Sequence, residues 1–256
     1  YTEAVDIRNV IRPVKFKPAP REVEPFTMPK APVELDHIMA ACKIAESVYE
    51  KMKKKVKVGM TEIELQSELI YEARKQGSEG EPFNPIVLAG ERTSMPHGRP
   101  SHRKIKKGDL ILLDFGTMIQ GFGCDITRVF CMGKPTKEQE SVYKLVHQAK
   151  QKAIDNLRPG INGKILDEYA RKHIEKAGYG DNFKHSLGHG IGVAAHEMPF
   201  ITFRKEENVP VGVVLAIEPG VYFEGKWGIR LEDNVHVTFD GAVPFTNAPA
   251  ELPVVK

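Results

Sequence analysis

Two stretches about a hundred residues apart constrain this chain more than anything else in it. KKGDLILLD at 106–114 runs apolar from Leu110 to Leu113 and stops on Asp114. PVGVVLAIE at 210–218 does the same and stops on Glu218. Each is followed by turn-forming residues and then by a second carboxylate heading a new apolar run: Asp125 after FGTMIQGFGC, Glu232 after PGVYFEGKWGIRL. This pattern reads as two β-hairpins. A turn centred on Ile119, Gln120 and Gly121 puts Asp114 nearly opposite Asp125. One centred at 225, inside EGKWG, puts Glu218 opposite Glu232. Cross-strand neighbours lie roughly 5 Å apart. Carboxylates paired that closely on an apolar sheet repel one another and are costly to desolvate, and a cation between them would remove both costs.

The surroundings of the two hairpins also repeat. The interval from Gly59 to Gly77 equals that from Gly160 to Gly178, and SVYEKM at 47–52 echoes SVYKLV at 141–146. Ile38, Ala41, Ala45, Val48 and Met52 recur at helical spacing and predict a helix over Leu35–Val56. Thr61 with Glu64 predicts a capping box opening a second helix that runs to Gln76, closed by Gly77. Helices are likewise expected from Pro135–Thr136 to Leu157 and then on to Lys176, with Gly178 beyond. The chain therefore reads as two copies of helix–helix–loop–hairpin. They would meet at a pseudo-twofold axis that gathers Asp114, Asp125, Glu218 and Glu232 in one cleft. Residues 1–34 precede this as a proline-rich arm, extended, with a short strand over Val5–Val14.

Composition excludes several classes. With 256 residues, 41% hydrophobic and a net charge of +3, the chain is globular and not a polycationic nucleic-acid binder. The one basic run, KMKKKVK at 51–57, reads as a solvated helix end. Three cysteines, Cys42, Cys124 and Cys131, have no metal spacing and fit free thiols in a reducing, cytoplasmic compartment. No apolar run is long enough to span a membrane and no signal-peptide pattern is present. The chain opens on Tyr1, as a processed protein or a fragment would.

Four carboxylates carry about four negative charges, which two divalent cations would neutralise. One imidazole would complete the set, and His185, His189 and His196 in FKHSLGHGIGVAAHEMPF are the candidates. Oxygen-rich donors with one nitrogen suit Mn²⁺, Co²⁺, Fe²⁺ or Zn²⁺. Two metals roughly 3.5–4 Å apart can hold a bridging water and lower its pKa, giving a hydroxide able to attack an amide. Each residue also has a plainer reading. Asp114 and Asp125 could cap hairpin ends, Glu232 beside Asp233 could be a solvated pair, and His97 or His189 could be loop histidines. His102, His147 and His173 read as surface or core. Neither GFGCD nor GHGIG is a phosphate loop, and no G-x-S-x-G serine elbow occurs.

LLDFG with CDITR, HSLGHGIGVAAHEMP, AIEPGVYF and GIRLEDNV, in that order, resemble the pita-bread metallopeptidases: methionine aminopeptidases, aminopeptidase P, prolidase and creatinase. The resemblance covers roughly residues 35–250. It implies an α/β fold of two pseudo-symmetric halves, with a curved antiparallel sheet inside and helices outside. It also implies a dinuclear centre held by Asp114, Asp125, His189, Glu218 and Glu232. His97 in SMPHGRPS, His185 and His196 match active-site histidines. By the resemblance His196 contacts the scissile carbonyl, His97 contacts the substrate near the metals, and Glu218 also handles a proton. Arg230 matches an arginine of the proline-specific members; a structural ion pair with a ligand carboxylate is its other reading.

HSLGHGIG, SMPHGRPS and GIRLEDNV look most like the Xaa-Pro peptidases. Those relatives carry a sizeable N-terminal domain, where this chain has only its arm; that length suits methionine aminopeptidases, or a domain has been removed. The expectation is a metallo-exopeptidase that cleaves the N-terminal bond of short peptides, preferring proline after the scissile bond, with Mn²⁺ or Co²⁺ as its metal. Its partners are peptide substrates, not nucleic acid or membrane, and relatives are often homodimers. The alternatives are initiator-methionine removal, a creatinase-like hydrolase, and a peptidase-like binding module. Relatives of the last two kinds usually lack metal ligands.

Overall fold

A computed structural model describes residues 20–256, with side chains from Val23 onward. The strand expected over Val5–Val14 lies outside the described residues. A short helix α1 (Pro20–Thr27), where the proline-rich arm is expected to be extended, leads into α2 (Pro32–Lys55) and α3 (Glu62–Lys75). Helix α2 starts earlier than its apolar repeat suggests, because Pro32 occupies the first turn, where its fixed φ is favourable. Ile38, Ala41, Ala45, Val48 and Met52 are all buried. The predicted capping box is present: Glu64 N–H donates to Thr61 Oγ1 (3.1 Å), and Thr61 N–H donates to Glu64 Oε2 (2.7 Å). Lys51 and Lys55 in the basic run pair with Glu72, and Lys55 also with Glu68. That run is thus matched by the acidic face of α3.

Then come β1 (Ile86–Ala89), β2 (Leu110–Phe115), β3 (Met118–Ile119), β4 (Phe122–Gly123) and β5 (Ile126–Met132). Helices α4 (Lys137–Asn156) and α5 (Gly163–Lys176) open the second half. Strands β6 (Gly188–Gly190), β7 (Glu197–Ile201), β8 (Val214–Ile217), β9 (Gly220–Phe223), β10 (Trp227–Arg230), β11 (Asp233–Thr238), β12 (Gly241–Pro244) and β13 (Val254–Val255) complete it.

The duplication holds in detail. Helices α3 and α5 are both fourteen residues long, and their ends are 101 positions apart (163 minus 62, 176 minus 75). The first half forms a sheet ordered β1-β2-β5-β13, with β2 antiparallel to both β1 and β5. The second forms β12-β11-β8-β6-β7, in which β6, β8 and β11 repeat that antiparallel arrangement. Each long hairpin carries a small two-stranded ribbon at its tip, β3-β4 and β9-β10.

Both faces of the central hairpin are buried, which is why LILLDF reads as a continuous apolar run. Ile111, Leu113, Phe115 and Phe130 face the core built on α2 and α3. Leu110, Leu112, Val129 and Cys131 face the core that contains α4, α5 and the second sheet. All three cysteines are buried and unpaired. Among the described residues no helix is long and apolar enough to cross a membrane.

The two registers fare differently. In the second hairpin Trp227 pairs with Phe223 and Asp233 with Ile217. Both pairings centre on 225, so Glu218 and Glu232 are opposite, as expected. In the first, Asp114 pairs with Thr127 and Met118 with Gly123. The centre is therefore 120.5, between Gln120 and Gly121, and the expected Asp114–Asp125 pairing is corrected by two positions. Gln120 and Gly121 both have positive φ (51° and 78°), as a tight two-residue hairpin turn requires. A shift of two keeps Asp125 on the face of Asp114.

Candidate metal centre

Each half contributes one carboxylate from the end of its outgoing strand, Asp114 or Glu218, and one from just before the returning strand, Asp125 or Glu232. His189 sits mid-strand on β6, directly beside Ala216 of β8. Its flanking glycines are required there. A Cβ on Gly188 would stand 1.9 Å from the carbonyl oxygen of Ala216, and one on Gly190 would stand 2.3 Å from that of Met198. The neighbouring backbones thus approach closely around the imidazole.

Donor atoms of Asp125, His189 and Glu232 lie within 4.8 Å of one another, and all three residues are buried. His189 Nε2 is 3.8 Å from Asp125 Oδ2 and 3.9 Å from Glu218 Oε1. Its Nδ1–H donates to the carbonyl of Gly190 (3.0 Å), which leaves the Nε2 lone pair facing the carboxylates. Burial lowers its pKa to about 4, so the ring is neutral. Asp114 stands outside that trio, ion-paired with Arg230, whose Nε lies 3.9 Å from Glu218 Oε2.

The donor set fits divalent cations. Asp125 Oδ1 and Glu232 Oε1 are buried without a hydrogen-bond partner, a costly condition for a carboxylate unless a cation answers it. Desolvation and then the neighbouring carboxylates push Asp125 and Glu218 well above the usual carboxylate range; Glu232 is raised to about 8 by desolvation and then by Asp114. Arg230 is paired with one of these acids, Asp114, and so offsets only part of the assembled carboxylate charge. All the oxygens plus one imidazole suit hard to borderline metals.

Around the donors lies a layer that the sequence reading missed. Thr127 Oγ1 donates to Glu232 Oε2 (2.6 Å) and accepts from Arg230 Nε (3.0 Å). Arg230 Nη1 donates to Tyr222 Oη (2.7 Å) and to the carbonyl of Pro96 (3.2 Å). Thr127 stands two residues beyond Asp125, on the same strand face, and that periodicity was the available signal. Tyr222 gave none beyond its place on the hairpin. Asp233, read as the solvated neighbour of Glu232, is buried and bonded to Arg128, Lys150 and Thr246.

The remaining predicted residues separate by exposure. His185 bridges Tyr222 Oη at Nε2 (2.9 Å) and the Ser186 carbonyl at Nδ1 (2.8 Å), so both ring nitrogens are engaged within the protein. Burial, then the Arg230 charge, lowers its pKa to about 3. His97 and His196 are exposed, with the His196 ring 4.2 Å from that of His189. A cleft of about 460 Å³ opens beside His196, between Phe26, Met28, Phe122 and Val193. The loop carrying His196 is held by Glu197, which accepts from Ala194 N–H (2.9 Å) and from the buried Lys30 Nζ (2.7 Å).

Comparison with known proteins identifies the family and the fold. The description "Metallopeptidase family M24" matches residues 36–239. A putative dipeptidase, YkvY of Bacillus subtilis, is 38% identical over 251 residues, covering 98% of this chain and 69% of the relative. The Xaa-Pro dipeptidase of Pyrococcus furiosus is 35% identical over 238 residues, 93% of this chain and 68% of that one. The crystal structure of an X-Pro aminopeptidase from Thermotoga maritima superposes with a TM-score of 0.94 at 38% identity, covering 99% of this chain and 71% of the other. The Xaa-Pro dipeptidase from Bacillus anthracis gives 0.94 at 34%, with coverages of 99% and 71%.

Proposed function

The chain belongs to metallopeptidase family M24 and has its pita-bread fold; from that premise we propose that it is an Xaa-Pro exopeptidase with two divalent ions. The substrate is the N-terminal bond of a short peptide with proline after the scissile bond. The observation that carries the reading is the convergence of Asp125, His189, Glu218 and Glu232, with two buried carboxylate oxygens left unpartnered. The names borne by the relatives, Xaa-Pro dipeptidase and X-Pro aminopeptidase, support the substrate class.

Asp114, Asp125, His189, Glu218 and Glu232 would hold the ions, with Mn²⁺ or Co²⁺ preferred and Zn²⁺ or Fe²⁺ tolerated. When bound, divalent cations supply Lewis acidity and bring the pKa of water close to neutrality. The chain's own residues do the rest. His97 and His196, exposed at the rim, donate hydrogen bonds to the substrate carbonyl as charge develops on its oxygen. Glu218, the least buried of the acids, takes a proton at its carboxylate and returns it to the leaving amine. Arg230 offsets the carboxylate charge and fixes Asp114. Residues 35–256 form the catalytic unit, and Phe26, Met28 and Lys30 at the end of the preceding arm border the cleft. A homodimer is part of the same proposal.

A panel of Met-Ala-Ser, Xaa-Pro and Xaa-Pro-Xaa peptides with Mn²⁺ or Co²⁺ tests this. Cleavage at Xaa-Pro that disappears with chelator is expected. Cleavage of Met-Ala-Ser alone would move the assignment to methionine removal.

A further inference from the structure

Each half turns one fully buried helix carboxylate onto the loop that carries a rim or inner histidine. In the first half it is Glu62, the opening residue of α3. Glu62 Oε1 accepts from Ala89 N–H (2.8 Å), and Oε2 accepts from Ser101 N–H (2.9 Å) and Ser101 Oγ (2.7 Å). Arg92 Nε donates to both oxygens, and its Nη2 donates to the carbonyl of Arg99 (2.6 Å). Arg230 holds the carbonyl of Pro96. The backbone is thus tied one residue before His97 and two residues after it.

In the second half the carboxylate is Asp167 of α5, also fully buried. Its Oδ1 accepts from Leu187 N–H (3.1 Å) and Arg171 Nη2 (2.9 Å), and its Oδ2 from Arg171 Nε (2.6 Å). Arg171 also donates to the carbonyls of Phe183 (2.9 Å) and His185 (2.8 Å). The two clamps are not one duplicated feature. The repeat counterpart of Glu62 is Gly163, so each half reached the same arrangement from a different helix position.

Burying a charged pair is a poor route to stability, because desolvation offsets most of the attraction. Fixing a loop to a fraction of an ångström is what such a pair does well. We propose that Glu62 with Arg92, and Asp167 with Arg171, are positioning pairs for His97 and His185 respectively. The inference rests on the peptidase reading, in which His97 contacts the substrate and His185 holds the Tyr222 hydroxyl that accepts from Arg230.

Crossed double-mutant cycles on the manganese-loaded chain test it, with kcat/KM on an Xaa-Pro peptide as the readout. Glu62→Gln should lower kcat/KM about 10- to 100-fold, the scale of a displacement near 1 Å. In a His97→Ala background the same change should cost less than about twofold, and in a His185→Ala background it should keep its full cost. Asp167→Asn should show the reverse dependence. Equal cost for Glu62→Gln in wild type and in His97→Ala would overturn the proposal. If Glu62→Gln does not fold, Ser101→Ala replaces it, with a smaller loss and the same dependence on His97. Amide hydrogen exchange decides the clamp without any activity. Glu62→Gln (or its replacement) should speed exchange at 97–101 and leave 183–187 unchanged, and unaltered exchange at 97–101 would count against it. A wild-type chain that cleaves no peptide defeats the peptidase reading, and the exchange result still decides the clamp.

Discussion

Thr127 donates to Glu232 across the boundary between the two halves, Oγ1 to Oε2 at 2.6 Å, while the Glu232 N–H returns a bond to the Thr127 carbonyl at 3.2 Å. A donor from one repeat therefore orients a metal-ligand candidate from the other. Thr127→Val keeps the shape and removes the hydroxyl. It should weaken manganese binding by about 10- to 100-fold, the usual cost of losing a partner that orients a ligand. Calorimetric titration of both proteins measures this. Unchanged affinity would mean that Glu232 is oriented by something else.

The acids also give a pH signature. Glu232 is raised from its ordinary 4.5 to about 8 when no cation is present, and Asp125 and Glu218 move the same way. A folded pKa above the unfolded one means the folded state holds more protons between about 4.5 and 8. The resulting stability is complete below about 4.5 and lost as pH rises through 8. Chelator-treated protein should thus melt at progressively lower temperature as pH rises from 5 to 8.5, and added Mn²⁺ should remove the decline. A flat melting profile in chelator would contradict the crowded-carboxylate description.

Asp233, one residue beyond Glu232, supports a separate prediction about stability. Its carboxylate is held down to about 2; Arg128 and then Lys150 are the lowering groups, and they outweigh the desolvation that opposes them. All three residues are buried. Asp233→Asn leaves two buried cations short of a counter-charge and should cost about 3–5 kcal/mol, read by urea unfolding in the presence of chelator. A cost below about 1 kcal/mol would show that water enters the triad.

Much of this was legible before any coordinates. The second hairpin could be registered from EGKWG alone, because Gly225 marks the turn and both the ribbon and the strands beyond it keep that centre. The first could not be placed to the residue. Ile119, Gln120 and Gly121 all fit its turn, and only the positive φ of Gln120 and Gly121 selects the two-residue turn between them. The five proposed donors stand out as a family pattern, and the four acids among them as carboxylates that end or head apolar runs. Asp233 was not, since its partners lie on α4 and β5, 83 and 105 positions away. Nothing local distinguishes a buried LEDN from a solvated one. Glu62 was hidden differently: at the first position of a capped helix an acid is already expected for the helix dipole, so its burial leaves no trace in the sequence.

The central claim is that four carboxylates and His189 converge on two divalent ions. Manganese titration of the chelator-stripped full chain tests it most directly. The expected result is saturable binding of two ions per chain in the wild type and loss of binding in Asp125→Asn. Absence of saturable binding, or identical isotherms for the two proteins, would contradict it.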